Sequence, residues 1–90
     1  MIDTTYIPKP RTDITLQDID GESLILDNNN EVIHQLNDTA TFIWQQCNSL
    51  NSVSDISSLV VEHYLVSEEN AKNDVLTVIS NFKGLNLLDE

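Results

Sequence analysis

Residues 21–44, GESLILDNNNEVIHQLNDTATFIW, constrain the fold more than any other stretch of this chain. They read as a tight hairpin that runs straight into a capped amphipathic helix. Asp20-Gly21 is a two-residue turn signal, and Leu24 and Leu26 alternate with Ser23 and Ile25 in the strand that follows it. Asp27 to Asn30 is a run of residues that tolerate left-handed backbone and stabilise turns through their side chains. Glu31 to Leu36 reads as the next strand. Upstream, from Asp13, Ile14 and Leu16 alternate with Thr15 and Gln17, so a short half-buried strand precedes the hairpin. Three short strands with short connections predict an antiparallel meander whose third strand keeps one free edge. Such an edge is a docking surface for an extended peptide.

Helices fill the rest of the chain. Asn37 is the expected N-cap of the first, with Asp38 at the positive end of its dipole. Ala40, Ile43, Trp44 and Cys47 then share one apolar face at helical spacing. Ser52-Val53-Ser54-Asp55 is a capping box with Asp in place of Glu, opening a second helix with Ile56, Leu59, Val60 and Tyr64 on one face. Ser67 caps a third, with Glu68 and Glu69 in its first turn and Ala71, Val75, Val78, Ile79 and Phe82 as its core stripe. Gly84 is its expected terminator, after which Leu85, Leu87 and Leu88 pack back on the core. Pro8 and Pro10 prevent a regular helix near the start. The expectation is an α+β domain over 13–88, a three-stranded antiparallel meander followed by three α-helices in a winged helix-turn-helix-like arrangement. An extended arm, 1–12, lies over or beside it.

Ninety residues bury about 60–65% of their unfolded surface, enough for one thin core and too little for a deep substrate cavity as well. The formal net charge of −11 repels phosphate backbones and anionic membranes. Cys47 has no second cysteine to pair with, which fits a reducing compartment. Met1-Ile2-Asp3 opens without the basic and apolar regions of a signal peptide, and no apolar window reaches the ~18 residues of a membrane span. A cytoplasmic protein with no membrane association is therefore expected.

Taken in order, Gly21-Glu22, Leu24-Ile25-Leu26-Asp27, Leu36-Asn37, Ala40, Ile43, Trp44, Ile56, Tyr64, Asp74-Val75 and Gly84-Leu85 form a pattern that resembles the PqqD-like family, from Pro8 to Leu88. The loop Asn48-Ser49-Leu50-Asn51 departs from it, since many members carry Asp-Gly there. The resemblance implies a recognition element for ribosomally synthesised, post-translationally modified peptides. Such an element holds the leader segment of a precursor peptide and presents it to a tailoring enzyme, such as a radical-SAM maturase or a lasso-type peptidase or cyclase. It implies that the leader adds as a strand to the third strand, at Val32, Ile33, His34 and Gln35, and lies against the third helix near Asp74.

The helical wheel adds its own reading. At ~100° per residue, Lys72, Leu76 and Lys83 fall on one flank of the third helix next to Ile79, a surface for a peptide with apolar anchors and negative charge. Asn70, Thr77 and Asn81 form the opposite, polar flank, and the wheel places Asp74 there, against the resemblance. Leu76, Val61 and Leu65 lie off the core stripes and read either as contact surface or as packing under the arm.

Little points to chemistry. Cys47 lies on an apolar helix face, where a thiol is inert, and Trp44 reads as core by the same spacing. His34 and His63 lack metal-ligand spacing, and His34 sits on a strand face, solvated or touching the ligand. Glu62, Glu68, Glu69 and Asp74 read as a solvated face. With no nucleophile–base pair, phosphate loop or metal cluster, neither an enzyme nor a cofactor or metal is expected. The main alternative is a structural module that forms a homodimer through the same free strand edge.

Helix-turn-helix folds often read DNA, but here the second and third helices carry Asp55, Glu62, Glu68, Glu69 and Asp74 against Lys72 and Lys83. An anisotropy titration with random duplex at ~0.1 M salt, where the Debye length is about 10 Å, should show no saturable binding tighter than about ten micromolar.

Overall fold

The computed structural model describes residues 2–89, so residue 1 of the expected arm lies outside the described residues. In chain order the elements are β1 (Lys9–Pro10), β2 (Ile14–Ile19), β3 (Glu22–Asp27), β4 (Val32–Leu36), α1 (Asp38–Gln46), α2 (Val53–Tyr64), α3 (Glu68–Gly84) and β5 (Leu88–Asp89). The sheet is the expected antiparallel meander, β2-β3-β4, with β3 central. Three helices follow it, and the fold is α+β.

Local chemistry accounts for each junction. Ile19 pairs with Glu22 across Asp20-Gly21, whose φ values of 54° and 83° are both positive, as a two-residue hairpin with right-handed strand twist requires. The β3–β4 hairpin closes at Asp27 and Val32, and Asp27 accepts from the Asn30 backbone N–H at 3.1 Å and from Asn30 Nδ2 at 2.9 Å. The left-handed residue of this turn is Glu31 (φ 56°) rather than one of the asparagines, so β4 begins one residue later than its sequence suggests.

Every predicted N-cap forms. Asn37 Oδ1 accepts from Ala40 N at 2.8 Å, and Ser67 Oγ accepts from Asn70 N at 3.2 Å. Ser52 and Asp55 bond reciprocally, at 3.2 and 3.0 Å. At the end of α3 the left-handed residue is Asn86 (φ 62°), not Gly84, and Leu87 N donates to Phe82 O at 3.0 Å. That turn drives Leu87 and Leu88 into the core, whereas Leu85 stays exposed.

The core lies between the helices and one face of the sheet. Trp44 meets Phe82 edge to face, ring centroids 5.1 Å apart, and Ile43, Ile56, Val60, Val75 and Ile79 are buried around them. From the sheet, Ile25 is the apolar side chain fully buried in it, with Ile14, Leu16 and Leu36 packed beside it. Ile25 pairs with Leu16 and His34, and directly paired residues share a face, so Leu24 and Leu26 point away from the core.

Two features have no counterpart in the sequence reading. β1 pairs with β5, Lys9 opposite Asp89 and Pro10 opposite Leu88, and so joins the two ends of the chain. The arm also closes the start of α2: Val53 N donates to Tyr6 O at 2.8 Å and Ser54 N to Thr4 O at 3.0 Å, satisfying amides that a helix cannot satisfy itself. Arg11 binds these parts together. Its guanidinium donates to Asn86 O at 2.7 Å, to Asp27 Oδ2 at 3.4 Å and to Asp13.

Asp27 is only 2% exposed, and its carboxyl is held below the usual value, foremost by the Asn30 side-chain bond and also by Arg11. A lowered folded pKa contributes stability that is present above the unfolded value, about 3.9, and is lost as pH falls through the folded value. Asp27→Asn should therefore lower the urea midpoint at pH 7 and make stability depend less on pH below about 4. Equal slopes for variant and parent in that range would remove Asp27 from the acid response.

Candidate functional site

In the sheet order β2-β3-β4, strand β4 has hydrogen-bonded partners on one side only. β2 is also an edge, and the last residues of β4, Gln35 and Leu36, share a groove with α1 and α3. It is lined besides by Asn37, Ala40, Val78, Asn81, Phe82 and Leu85. It continues into a second hollow formed by Asn37, Thr39, Asp74, Thr77 and Val78. The junction that sets this spacing is short: β4 ends at Leu36, and the Asn37 cap starts α1 at the next residue. The free edge of β4 offers unpaired backbone donors and acceptors, and the groove at its end adds apolar side chains and neutral amides. Asp74 brings the one charged side chain among the described residues that line the two hollows.

A family model described as coenzyme PQQ synthesis protein D (PqqD) matches residues 22–88. This chain belongs to the PqqD family. Two solved structures are similar over nearly the whole length of this PqqD-family chain. One, a lasso peptide synthetase B1 complexed with the leader peptide, shares 26% identity over 91% of this chain and 95% of its own, with a TM-score of 0.77. The other, TbiB1 in complex with the TbiA(beta) leader peptide, has a TM-score of 0.79 over 90% and 94% at 17% identity, a likeness of fold. No curated protein sequence matches the chain.

Of the expected site residues, Val32, Ile33, His34 and Gln35 all lie on β4. By register, Val32 and His34 share the inner face with Ile25, while Ile33 and Gln35 face out with Leu26 and Leu24. Asp74 lines the groove, as the resemblance implied and the wheel did not. The flank of Lys72, Leu76 and Lys83 is not brought to β4. Lys72 lies beside Thr4 and Glu68, Leu76 beside Ile2, and Lys83 Nζ sits 5.5 Å above the Tyr6 ring. Ile79 is 0% exposed and supports the helix from within the core. The wheel gave the angles correctly, but the N-terminal arm takes the flank with the cations and leaves the polar flank to face β4.

Sequence reasoning missed Leu36, Ala40, Val78, Asn81, Phe82 and Leu85 as groove residues. The usable signal was the arm itself: an apolar segment with Ile2 and Tyr6 needs an apolar helix flank to lie on, and Leu76 and Val61 offer one. Leu76 and Val61 are half-buried next to the arm, while Leu65 is fully on the surface.

Elsewhere, His63 stacks on Phe42 with ring centroids 4.3 Å apart. Among the described residues, no three His, Cys, Asp or Glu side chains are grouped to hold a metal ion, and no helix is long and apolar enough to cross a membrane. Cys47 is buried, its Sγ donates to Ile43 O at 3.2 Å, and burial pushes its pKa up to about 12. At neutral pH it is a thiol, not a thiolate, and a poor nucleophile. A thiol reagent at pH 8 should leave the native protein unmodified over minutes and label it completely in urea, and Cys47→Ala should lower stability only by the cost of a small cavity. Fast native labelling would mean an accessible thiolate.

Proposed function

We propose that this PqqD-family chain is a non-catalytic recognition element that binds the leader segment of a ribosomally synthesised precursor peptide as an added strand on β4. The observation that carries the reading is the free edge of β4 beside the α3 groove, in a fold shared with a leader-peptide complex at 26% identity. Main-chain hydrogen bonds along β4 would hold any extended peptide, and the groove would select among them by side chain. Val78, Phe82, Leu36 and Ala40 call for an apolar anchor. With Asp74 at the α3 end and Lys72 and Lys83 on the far flank, the groove suits a neutral or cationic residue beyond that anchor, not the acidic ligand that the wheel suggested.

The tailoring enzyme to which the peptide is handed is, on this reading, a lasso-type peptidase or cyclase. The likeness to a lasso peptide synthetase component supports it ahead of a radical-SAM maturase. A homodimer through β4 would occupy the same edge and compete with the leader, and the net charge of −11 on each copy opposes it. A cytoplasmic location fits a partner made on the ribosome.

Calorimetry with peptides from short reading frames beside the gene tests this. Along an edge strand, successive N–H groups alternate between the neighbouring strand and the outside. Proline at Val32 and His34 should therefore behave as one class and proline at Ile33 and Gln35 as the other. One class should destabilise the fold; the other should keep it and weaken binding about tenfold or more, from lost bonds of roughly 0.5–1.5 kcal/mol and exclusion by the ring. Leu85→Asp, on the groove rim, should weaken binding, while Lys72→Glu on the far flank should not. If folded variants of every class bound the leader like the parent, the peptide would dock elsewhere.

A further inference from the structure

Charge in this chain is sorted by side. Residues 12–71, which hold the whole meander, α1 and α2, contain no lysine or arginine. The four cations lie elsewhere: Lys9 and Arg11 beside the β1–β5 pairing, Lys72 and Lys83 on the flank of α3 that the arm covers. Arg11 is engaged by Asp13 and Asp27, so those two carboxylates are already compensated. Along the free edge of β4 nothing balances the acids. Glu31 stands immediately before the strand, Asp38 two residues after it, and Asp74 lines the hollow at that second end. All three are exposed, and none is in an ion pair among the described residues.

Local structure explains only one of these acids. Asp38 is favoured in the first turn of α1 by the helix dipole. Asp74 falls well past the first turn of α3, beyond the reach of that dipole, and aspartate is a weak helix former. Glu31 occupies a left-handed position (φ 56°) that asparagine takes at less cost, and three asparagines stand just before it. Both carry negative charge where the backbone favours another residue, which points to a use for the charge. A second copy does not fit this edge, since its ends bear the same sign, and neither does a phosphate backbone.

We propose that the leader segment added to β4 is cationic, with a lysine or arginine at each end of its strand. One faces Glu31 and the other faces Asp38 and Asp74. This rests on the leader-binding reading and adds to it the charge of the segment and the placement of its cations. The apolar anchor sits by Leu36, Val78 and Phe82, toward the Asp74 end, so the two basic residues bracket it about six positions apart. The five residues of β4 hold the acidic ends roughly 17 Å apart, beyond a Debye length of about 10 Å at ~0.1 M salt, so each end acts on its own. With every lysine and arginine of the chain on other surfaces, the field of the domain also steers such a peptide to this edge.

The test uses the full chain and a synthetic, labelled leader peptide from the short reading frame beside the gene, with association rates from stopped-flow and affinities from calorimetry. Association with the parent should slow about tenfold or more between ~0.02 M and ~0.5 M salt. Glu31→Asn and Asp74→Asn remove charge and suit the turn and the helix; each should weaken binding about threefold and the pair about tenfold, with a flatter salt dependence. Glu62→Gln with Glu68→Gln makes the same change in net charge away from β4 and should leave affinity within twofold. Replacing the lysines and arginines of the peptide by glutamine should reproduce the loss. A leader that binds the parent without a basic residue on each side of its apolar anchor overturns the proposal. Parent-like affinity and salt dependence in the folded Glu31→Asn, Asp74→Asn pair overturn it too, as do equal losses from the control pair, and all three leave strand addition standing. A leader that does not bind the parent sinks the leader reading itself.

Discussion

Arg11 joins parts of the molecule that little else holds together. The sheet gives the helical core one fully buried apolar side chain, Ile25, and three partly buried ones, so burial alone attaches it weakly. The guanidinium adds bonds to Asp13 before β2, to Asp27 at the end of β3 and to the Asn86 carbonyl after α3. Beside it, Arg11 N donates to Leu87 O at 3.0 Å, continuing the β1–β5 pairing. Partly buried and paired with two carboxylates, this cation fixes where the sheet stands relative to α3. A lysine would not substitute, since a point charge on a flexible stem cannot serve three acceptors in a plane. The groove between β4 and α3 inherits its width from this clamp at one end of the sheet and from the Asn37 cap at the other.

A domain this small has no room for an enclosed site, so recognition has to happen on its outside. An edge strand beside a helix meets that limit well. The backbone groups of β4 are already ordered by pairing with β3, so an added strand meets a wall that loses little further entropy. Leu36, Ala40, Val78 and Phe82 belong partly to the core and partly to the groove floor, and the packing that stabilises the fold also holds the floor rigid.

What was legible in the sequence was local. Asn37, Ser52 with Asp55, and Ser67 announce their helices because a cap is a bond between residues three apart, and Asp20-Gly21 announces its turn for a similar reason. The β1–β5 pairing spans almost the whole chain and involves two residues on each side, one of them Pro10, so no periodicity marks it. Leu24-Ile25-Leu26 is apolar at three successive positions, and period two cannot say which faces in until the register is known. For the candidate site, the sequence names β4 and the Lys72, Leu76 and Lys83 flank of α3, and the N-terminal arm lies on that flank. A wheel ranks positions around one axis, but the choice between flanks is made by the arm, whose position depends on contacts distant in sequence.

Strand β4 presents two different surfaces. That strand divides its chemistry by direction: its free backbone edge lies in the plane of the sheet, while Ile33 and Gln35 stand perpendicular to it. A strand added at the free edge therefore uses backbone groups alone and leaves the outward side chains of Ile33 and Gln35 uncovered.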